Sequence, residues 1–394
     1  MMSSQFTLDF TNIDQDKIKT KFYKGNRNYK IFNCIDDTNM PENDPIGRFR
    51  SVITNEEGEE IVAYSPPKTA SFQHFKEQNP DINADTIIVN ELIEGTMITL
   101  FYDKVLNIWE IATKGAIGGK YWFYRTDYET KTGQKTFRKM FLEALRINDD
   151  EDLNNASILN QFSKDYCYNF ILQHPANHIV FSIEQPKVYL VAVYKTEKQE
   201  VCDIPNVEFE NFDDLKTLYH EGIIHFPMRF LETDYAELEQ KYCSIQSANN
   251  KVGLMFMNIE TGLRSSLENP TYSEMRILRG NHPNLQYQYL CLLKMKKVKD
   301  FLKFFPQYNH LFFGFYKDFQ QFVTNVHASY ISYYVKKTGE QISKKYFPII
   351  YKLHHNVYLP SLAKEKIIMK KPVIFQHIID MHPVEIIYYL NFNR

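Results

Sequence analysis

The stretch NELIEGTMITLFYD, Asn90 to Asp103, holds the residues that come nearest to a reactive centre. Glu94-Gly95-Thr96 sets a carboxylate, a glycine and a small hydroxyl side by side, between an apolar strand pattern and an alternating one. Arg50, Lys68 and Lys114 lie around it in sequence, and fixed cations of this kind suit binding a phosphate. Glu94 reads either as part of such a site or as a turn acid. Lys114 is a phosphate contact or a solvated strand-end charge. Lys68, on a Pro-Pro turn, is an exposed turn lysine, a phosphate or RNA contact, or an amine nucleophile. The residues directly before Glu94 are Leu92 and Ile93, and neither can attack anything.

Other chemistries lack their patterns. His174, His178 and His225 stand in no HxxxH or HExxH arrangement, so no metal site is expected. There is no GxSxG elbow for a serine nucleophile. Gly118-Gly119-Lys120 lacks the upstream glycine and the following hydroxyl of a phosphate-binding loop. Cys34, Cys167, Cys202, Cys243 and Cys291 are widely spaced and odd in number, which fits a reducing compartment.

The positioning elements follow from periodicity. RFRSVITNEEGEEIVAYSPP reads as a hairpin turning at Asn55-Glu56-Glu57-Gly58. SFQHFKE reads as a short helix. IIVNELI, MITLFYD and IWEIATKG are three strands with turns at Glu94-Gly95 and near Asn107. KTFRKMFLEALR is an amphipathic helix, and a further helix is expected over 157–165. CYNFILQH, HIVFSI and VYLVAVYK return to a strand pattern. FDDLKTLYHEG is a capped helix ending at Gly222, DYAELEQKYCSI another helix, and VGLMFMN another strand. From Tyr287 the pattern is helical to the end. The expected fold class is α+β: an antiparallel-sheet body over 1–280, then an all-helical domain over 281–394.

The net charge of −2 conceals an asymmetry. Residues 280–394 hold 16 Lys and Arg against 6 Asp and Glu, a net of +10, and the remainder holds 30 against 42, a net of −12. A basic region of this kind suits a polyanion, or is a solvated face. Its lysines interleave with Tyr and Phe in KKVKDFLKFFPQYNHLFFGFYKDF. Most of those rings belong to a core, and a few exposed ones between lysines would stack bases. Lys336, Lys337, Lys344 and Lys345 are candidate RNA contacts. Arg276 and Arg279, near Gly280 and His282, are either RNA contacts or part of an interdomain hinge. No apolar run reaches the roughly 18–20 residues that cross a bilayer, so an intracellular, cytoplasmic or virion-associated protein is expected.

Over about residues 45–280 the order of these stretches resembles the phage-type RNA ligase 1 family of the covalent nucleotidyltransferase superfamily. RFRSVI resembles its Arg-Gly strand start, and YSPPKTASFQHF its Ser-x-Pro stretch, with Lys68 near a triphosphate-contacting position. IEGTMITLFYD resembles motif I, and IATKGAIG its Lys-Gly-Ser strand end, which places Lys114 on a family lysine. FILQHPANHIV resembles motif III, while VGLMF and LRSSLENPTY occupy the places of motifs IV and V. The resemblance implies an ATP-grasp-like ligase body and, for an active member, ATP and Mg²⁺. There a lysine amine attacks the α-phosphate, and the AMP then passes to an RNA 5′-phosphate.

This chain departs from that pattern at each reacting position. The motif I lysine falls on Leu92, the motif III glutamate on Ile171 and the motif IV glutamate on Val252. The two motif V lysines fall near Ser266 and Glu268. Leucine has no lone pair to attack phosphorus, Ile171 and Val252 cannot help hold a hard cation, and Glu268 repels phosphate. The expectation is an RNA ligase-like protein with a degenerate adenylylation site, no catalytic residue and no cofactor, which binds RNA or an RNA-containing complex. The alternatives are an active ATP-dependent ligase that uses displaced residues such as Lys68, and a structural or virion subunit that uses the fold for protein contacts.

Overall fold

The alternating stretches form antiparallel strands, gathered into three sheets in a computed structural model that describes residues 4–11, 13–35, 45–121, 135–148, 153–177, 179–244, 247, 251–363 and 368–392. These residues group into two compact units, one ending at Glu274 and one starting at Met275, a division that falls within the Pro270–Arg279 helix. The first unit is mixed α and β, and the second is helical.

Three sheets build the first unit. One carries seven strands, with Thr96–Asp103, Tyr166–Gln173 and Lys187–Glu197 near its middle. A four-stranded sheet joins Arg229–Phe230, Ile87–Glu91, Gly253–Asn258 and Arg264–Glu268 in that order. The third contains the expected hairpin, Val52–Asn55 with Ile61–Tyr64, whose turn is tied by the Asn55 side chain accepting from the N–H groups of Gly58, Glu59 and Glu60.

Both faces of the seven-stranded sheet are covered, so its central strands bury apolar residues on either side. The Phe137–Ala144 helix, started by Thr136 accepting from Lys139 N–H, packs Phe141 on Phe170 at 5.7 Å. On the opposite face Phe101 joins Ile31, Ile53 and Ala63 of the hairpin sheet. Asp103 joins these two sheets from a fully buried position. It accepts from both Arg27 Nη1, at 2.9 Å, and the Tyr29 hydroxyl, at 2.6 Å.

Four local expectations differ from the structure. Glu94-Gly95 is not a hairpin turn, because Ile87–Glu91 and Thr96–Asp103 lie in different sheets and the chain crosses between them there. Residues 179–183 of HIVFSI form no strand: the N–H groups of Val180 and Phe181 donate to the Glu94 carboxylate instead of to a ladder. The expected helix over 157–165 is reduced to the 3₁₀ turn Ser157–Gln161. The Asp213–His220 helix has no side-chain cap. Asp213 and Asp214 in its first turn instead face the positive end of its dipole.

In the second unit the Asn309–Tyr330 helix buries Phe312, Phe315, Phe319, Phe322, Val323, Val326 and Tyr330, a row at helical spacing. Tyr289 packs on Phe312 and Phe315, and Phe301 stacks on Phe312 at 4.8 Å. These rings make up the core expected of them. Among the described residues, no helix is long and apolar enough to cross a membrane.

Candidate functional site

The 87–91 strand ends with Leu92 N–H donating to Gly253 O, which extends its pairing with Gly253–Asn258 by one residue. The side chains that follow open onto a cavity of about 80 Å³ lined from two sheets. Asn90, Leu92, Met255, Met257 and Arg264 come from the four-stranded sheet and its edge, and Met97, Ile171 and Val191 from the seven-stranded one. Strand alternation sets these faces. Met255 and Met257 point one way from Gly253–Asn258, while Leu254 and Phe256 join the core on the other side.

Glu94 turns away from chemistry. It is 5% exposed, and its Oε1 accepts from Val180 N–H at 3.0 Å and Phe181 N–H at 3.1 Å. Its carbonyl accepts from Gln173 Nε2 at 2.8 Å, and its Oε2 has no partner among the described residues. The next residue must be glycine for a steric reason. A Cβ on Gly95 would stand 2.5 Å from both Ile171 Cγ2 and Leu172 O.

Of the expected phosphate-binding residues, not all line this cavity. Arg50 lines the cavity. Lys68 lies between the lining residues Pro67 and Thr69 without lining it itself, and its backbone N–H is held by Gly47 O at 2.9 Å. Lys114 is exposed in the tight turn between Ile108–Thr113 and Ala116–Ile117. Glu94 is a buried clasp, as above.

The sequence reading missed Arg264. It opens the LRSSLENPTY stretch, two and four residues before Ser266 and Glu268, and strand alternation puts the three on one face. That spacing was the available signal. Arg264 is 7% exposed and lines the cavity. Its Nη1 donates to the Tyr194 hydroxyl at 3.3 Å and its Nη2 to Val191 O at 3.4 Å, both long bonds, and its Nε has no partner among the described residues. Asp203 is the carboxylate that feels it: burial pushes this carboxyl up to about 6, with Arg264 pulling the other way.

The lining suits neither a nucleotide nor a divalent cation. Ligand pockets usually span about 300–1,000 Å³. Mg²⁺ takes an octahedron of oxygens, whereas this cavity offers one carboxylate, Glu91, which is paired with Lys251 at 3.2 Å. Two guanidiniums, Arg50 and Arg264, share the space. No group of three or more His, Cys, Asp or Glu among the described residues could hold a metal ion. His178 lies outside the described residues. His174 is committed elsewhere, with its Nε2 2.8 Å from Glu143 and its Nδ1 accepting from Ala176 N–H.

The expected RNA contacts also separate. Arg276 is exposed, but Arg279 is 2% exposed and sits over the Tyr308 ring at 5.7 Å, a buried cation. Lys336, Lys337 and Lys344 are exposed. Lys345 is half-buried, with its Nζ donating to Leu390 O at 3.3 Å and lying over the Phe322 and Tyr346 rings.

No protein-family model matches the chain. The "Immediate-early protein ICP-46 homolog" of Invertebrate iridescent virus 6 is 26% identical over 271 residues, 65% of this chain and 55% of that protein. The chain thus spans about half the length of the curated relative it matches. Among solved structures, a putative ATP-dependent DNA ligase from Aquifex aeolicus gives a TM-score of 0.40 at 13% identity, over 67% of this chain and 62% of that one. A mutant RNA ligase from Naegleria gruberi with ATP and Mn gives 0.39 at 12% identity, over 54% and 57%.

Proposed function

We propose that the protein is a ligase-like nucleotidyltransferase body of the RNA ligase 1 type, ATP-grasp-like in architecture, that does not adenylylate itself and binds RNA. The observation that carries this reading is Leu92 on the cavity edge where the chemistry requires a lysine, with Ile171 and Met255 around it. Among the described residues lining the cavity there is no amine, and so no group to form a lysyl-AMP. RNA binding is supported by the +10 net charge of residues 280–394 against −12 for the rest. The test incubates the protein with α-labelled ATP and Mg²⁺ or Mn²⁺ before a denaturing gel. The expected result is an unlabelled chain. A stable label that vanishes in Lys68→Ala overturns the reading in favour of a displaced nucleophile. Failure of the full chain to bind RNA at low salt leaves a structural subunit that uses the fold for protein contacts.

A further inference from the structure

The second unit presents a row of exposed rings on one helical face. Phe347, Tyr351 and His355 follow at a spacing of four, and each ring meets the next, at 6.3 Å for Phe347–Tyr351 and 4.2 Å for Tyr351–His355. Tyr333 joins edge-on to Phe347 at 5.6 Å. Tyr351 is 50% exposed, Tyr333 43% and Phe347 39%. Neighbouring, more buried rings brace this row. Tyr334 stacks on His354 at 3.7 Å and 11°, His354 stacks on Tyr358 at 5.3 Å, and the Tyr330 hydroxyl bonds His354 Nδ1 at 3.0 Å. A braced surface loses little freedom when a flat ligand settles on it.

Charge lies close to the row in sequence. Lys336 and Lys337 follow Tyr333 by three and four residues, and Lys344 precedes Phe347 by three. All three lysines are exposed and in no ion pair among the described residues. Lys352, beside Tyr351, is the exception, being paired with Glu385 at 3.1 Å. Exposed apolar rings alone would suit a protein partner. Rings set among unpaired lysines suit a chain whose flat bases stack and whose phosphates are anionic.

We propose that Tyr333, Phe347, Tyr351 and His355 form a stacking platform for the unpaired bases of single-stranded RNA, with Lys336, Lys337 and Lys344 contacting its phosphates. This inference rests on the RNA-binding reading above and locates it. The full-length protein is titrated by fluorescence anisotropy with a short labelled oligo(U) and with a sugar-phosphate strand of the same length that lacks its bases. The Phe347→Leu/Tyr351→Leu double variant keeps apolar bulk on the helix and removes the π faces. A melting curve matching the parent's confirms that it is folded.

The platform predicts at least about a fivefold loss of oligo(U) affinity per ring, and so at least about thirtyfold in the double variant. It also predicts an unchanged salt slope in the variant and weaker binding of the base-free strand to the parent. If the parent binds oligo(U) but the variant or the base-free strand binds as well, the platform is wrong and the RNA reading stands. If the parent binds no RNA at low salt, both fall. A parent that self-associates in sedimentation, while the double variant stays monomeric, turns the row into a protein interface and overturns the platform.

Discussion

Leu92→Lys puts an amine where the resemblance places the nucleophile, and it is expected to restore nothing. The amine itself would not be the obstacle. Arg50 and Arg264 both line the same cavity, and nearby cations favour the neutral, nucleophilic form of a lysine. What is missing is the remainder of the site. Ile171, Val252, Ser266 and Glu268 stand where the resemblance places carboxylates and cations, and one donor aimed at a transition state contributes about 10²–10³ in rate. The absence of two such groups alone leaves the variant about 10⁴–10⁶ slower than an equipped enzyme. Space adds to the deficit, because a cavity of about 80 Å³ must open several-fold before a nucleotide enters. The assay is self-labelling by α-labelled ATP over hours, read on a denaturing gel beside the parent protein. Label that rises toward one per chain would refute the reasoning, because it would mean that the supporting groups are present elsewhere in the fold.

Glu94→Ala strips the acceptor from two N–H groups, those of Val180 and Phe181. It should cost on the order of 3 kcal/mol in urea denaturation, and a cost below about 1 kcal/mol would remove the clasp role. The folded state holds the Asp203 proton up to about pH 6, whereas the unfolded chain releases it near the ordinary value of 3.8. Stability from this group therefore falls as pH rises through that window, by on the order of 2–3 kcal/mol; Asp203→Asn should flatten the fall, and an unchanged slope would place its cause elsewhere. Burial raises the Asp103 carboxyl, but hydrogen bonds from Tyr29, Leu106 N–H and Arg27 bring it below its ordinary value. Its contribution is lost as pH falls, so Tyr29→Phe, which removes one of those hydrogen bonds, should lower stability near neutral pH and flatten its fall toward acid; an unchanged slope would count against this account. Reversing Lys336, Lys337 and Lys344 to glutamate should weaken RNA binding and flatten its log–log salt slope by about 2, at roughly 0.7 per phosphate contact; an unchanged slope would mean that the phosphates lie elsewhere.

Periodicity made the elements legible but not their assembly. The Val52–Tyr64 hairpin, the Ser71-capped helix and the Thr136-capped helix follow from alternation, turn residues and caps. Alternation states that one face of a strand is buried. It does not state which sheet the strand joins, so Ile87–Glu91 and Thr96–Asp103 read as neighbours although they belong to different sheets. HIVFSI reads as a strand because its side chains are apolar, yet its backbone donors are taken by a carboxylate far away in sequence. The same limit hid the site. Arg50 and Arg264 are far apart in the chain, yet both line one cavity once the sheets are assembled. Arg279 shows the converse: a basic residue near a bend looks like a surface contact until its burial is known.

The acid-glycine pair therefore has a structural reason to be present without any chemistry. Gly95 is where the chain passes from one sheet to the other, close against Ile171 and Leu172, and any side chain would force the strands apart. Glu94 ties the loop after Tyr166–Gln173 to that crossing through two backbone donors. Both would be required whether or not ATP is ever bound. Leu92, Ile171 and Met255 differ in kind: they face the cavity and hold no other part of the fold through a side-chain hydrogen bond. A polar reactive group at those positions could give way to an apolar one at little cost, since burying apolar surface there is itself favourable. The presence of Glu94-Gly95-Thr96 is evidence for how this body folds, and only the side chains lining the cavity bear on what it does.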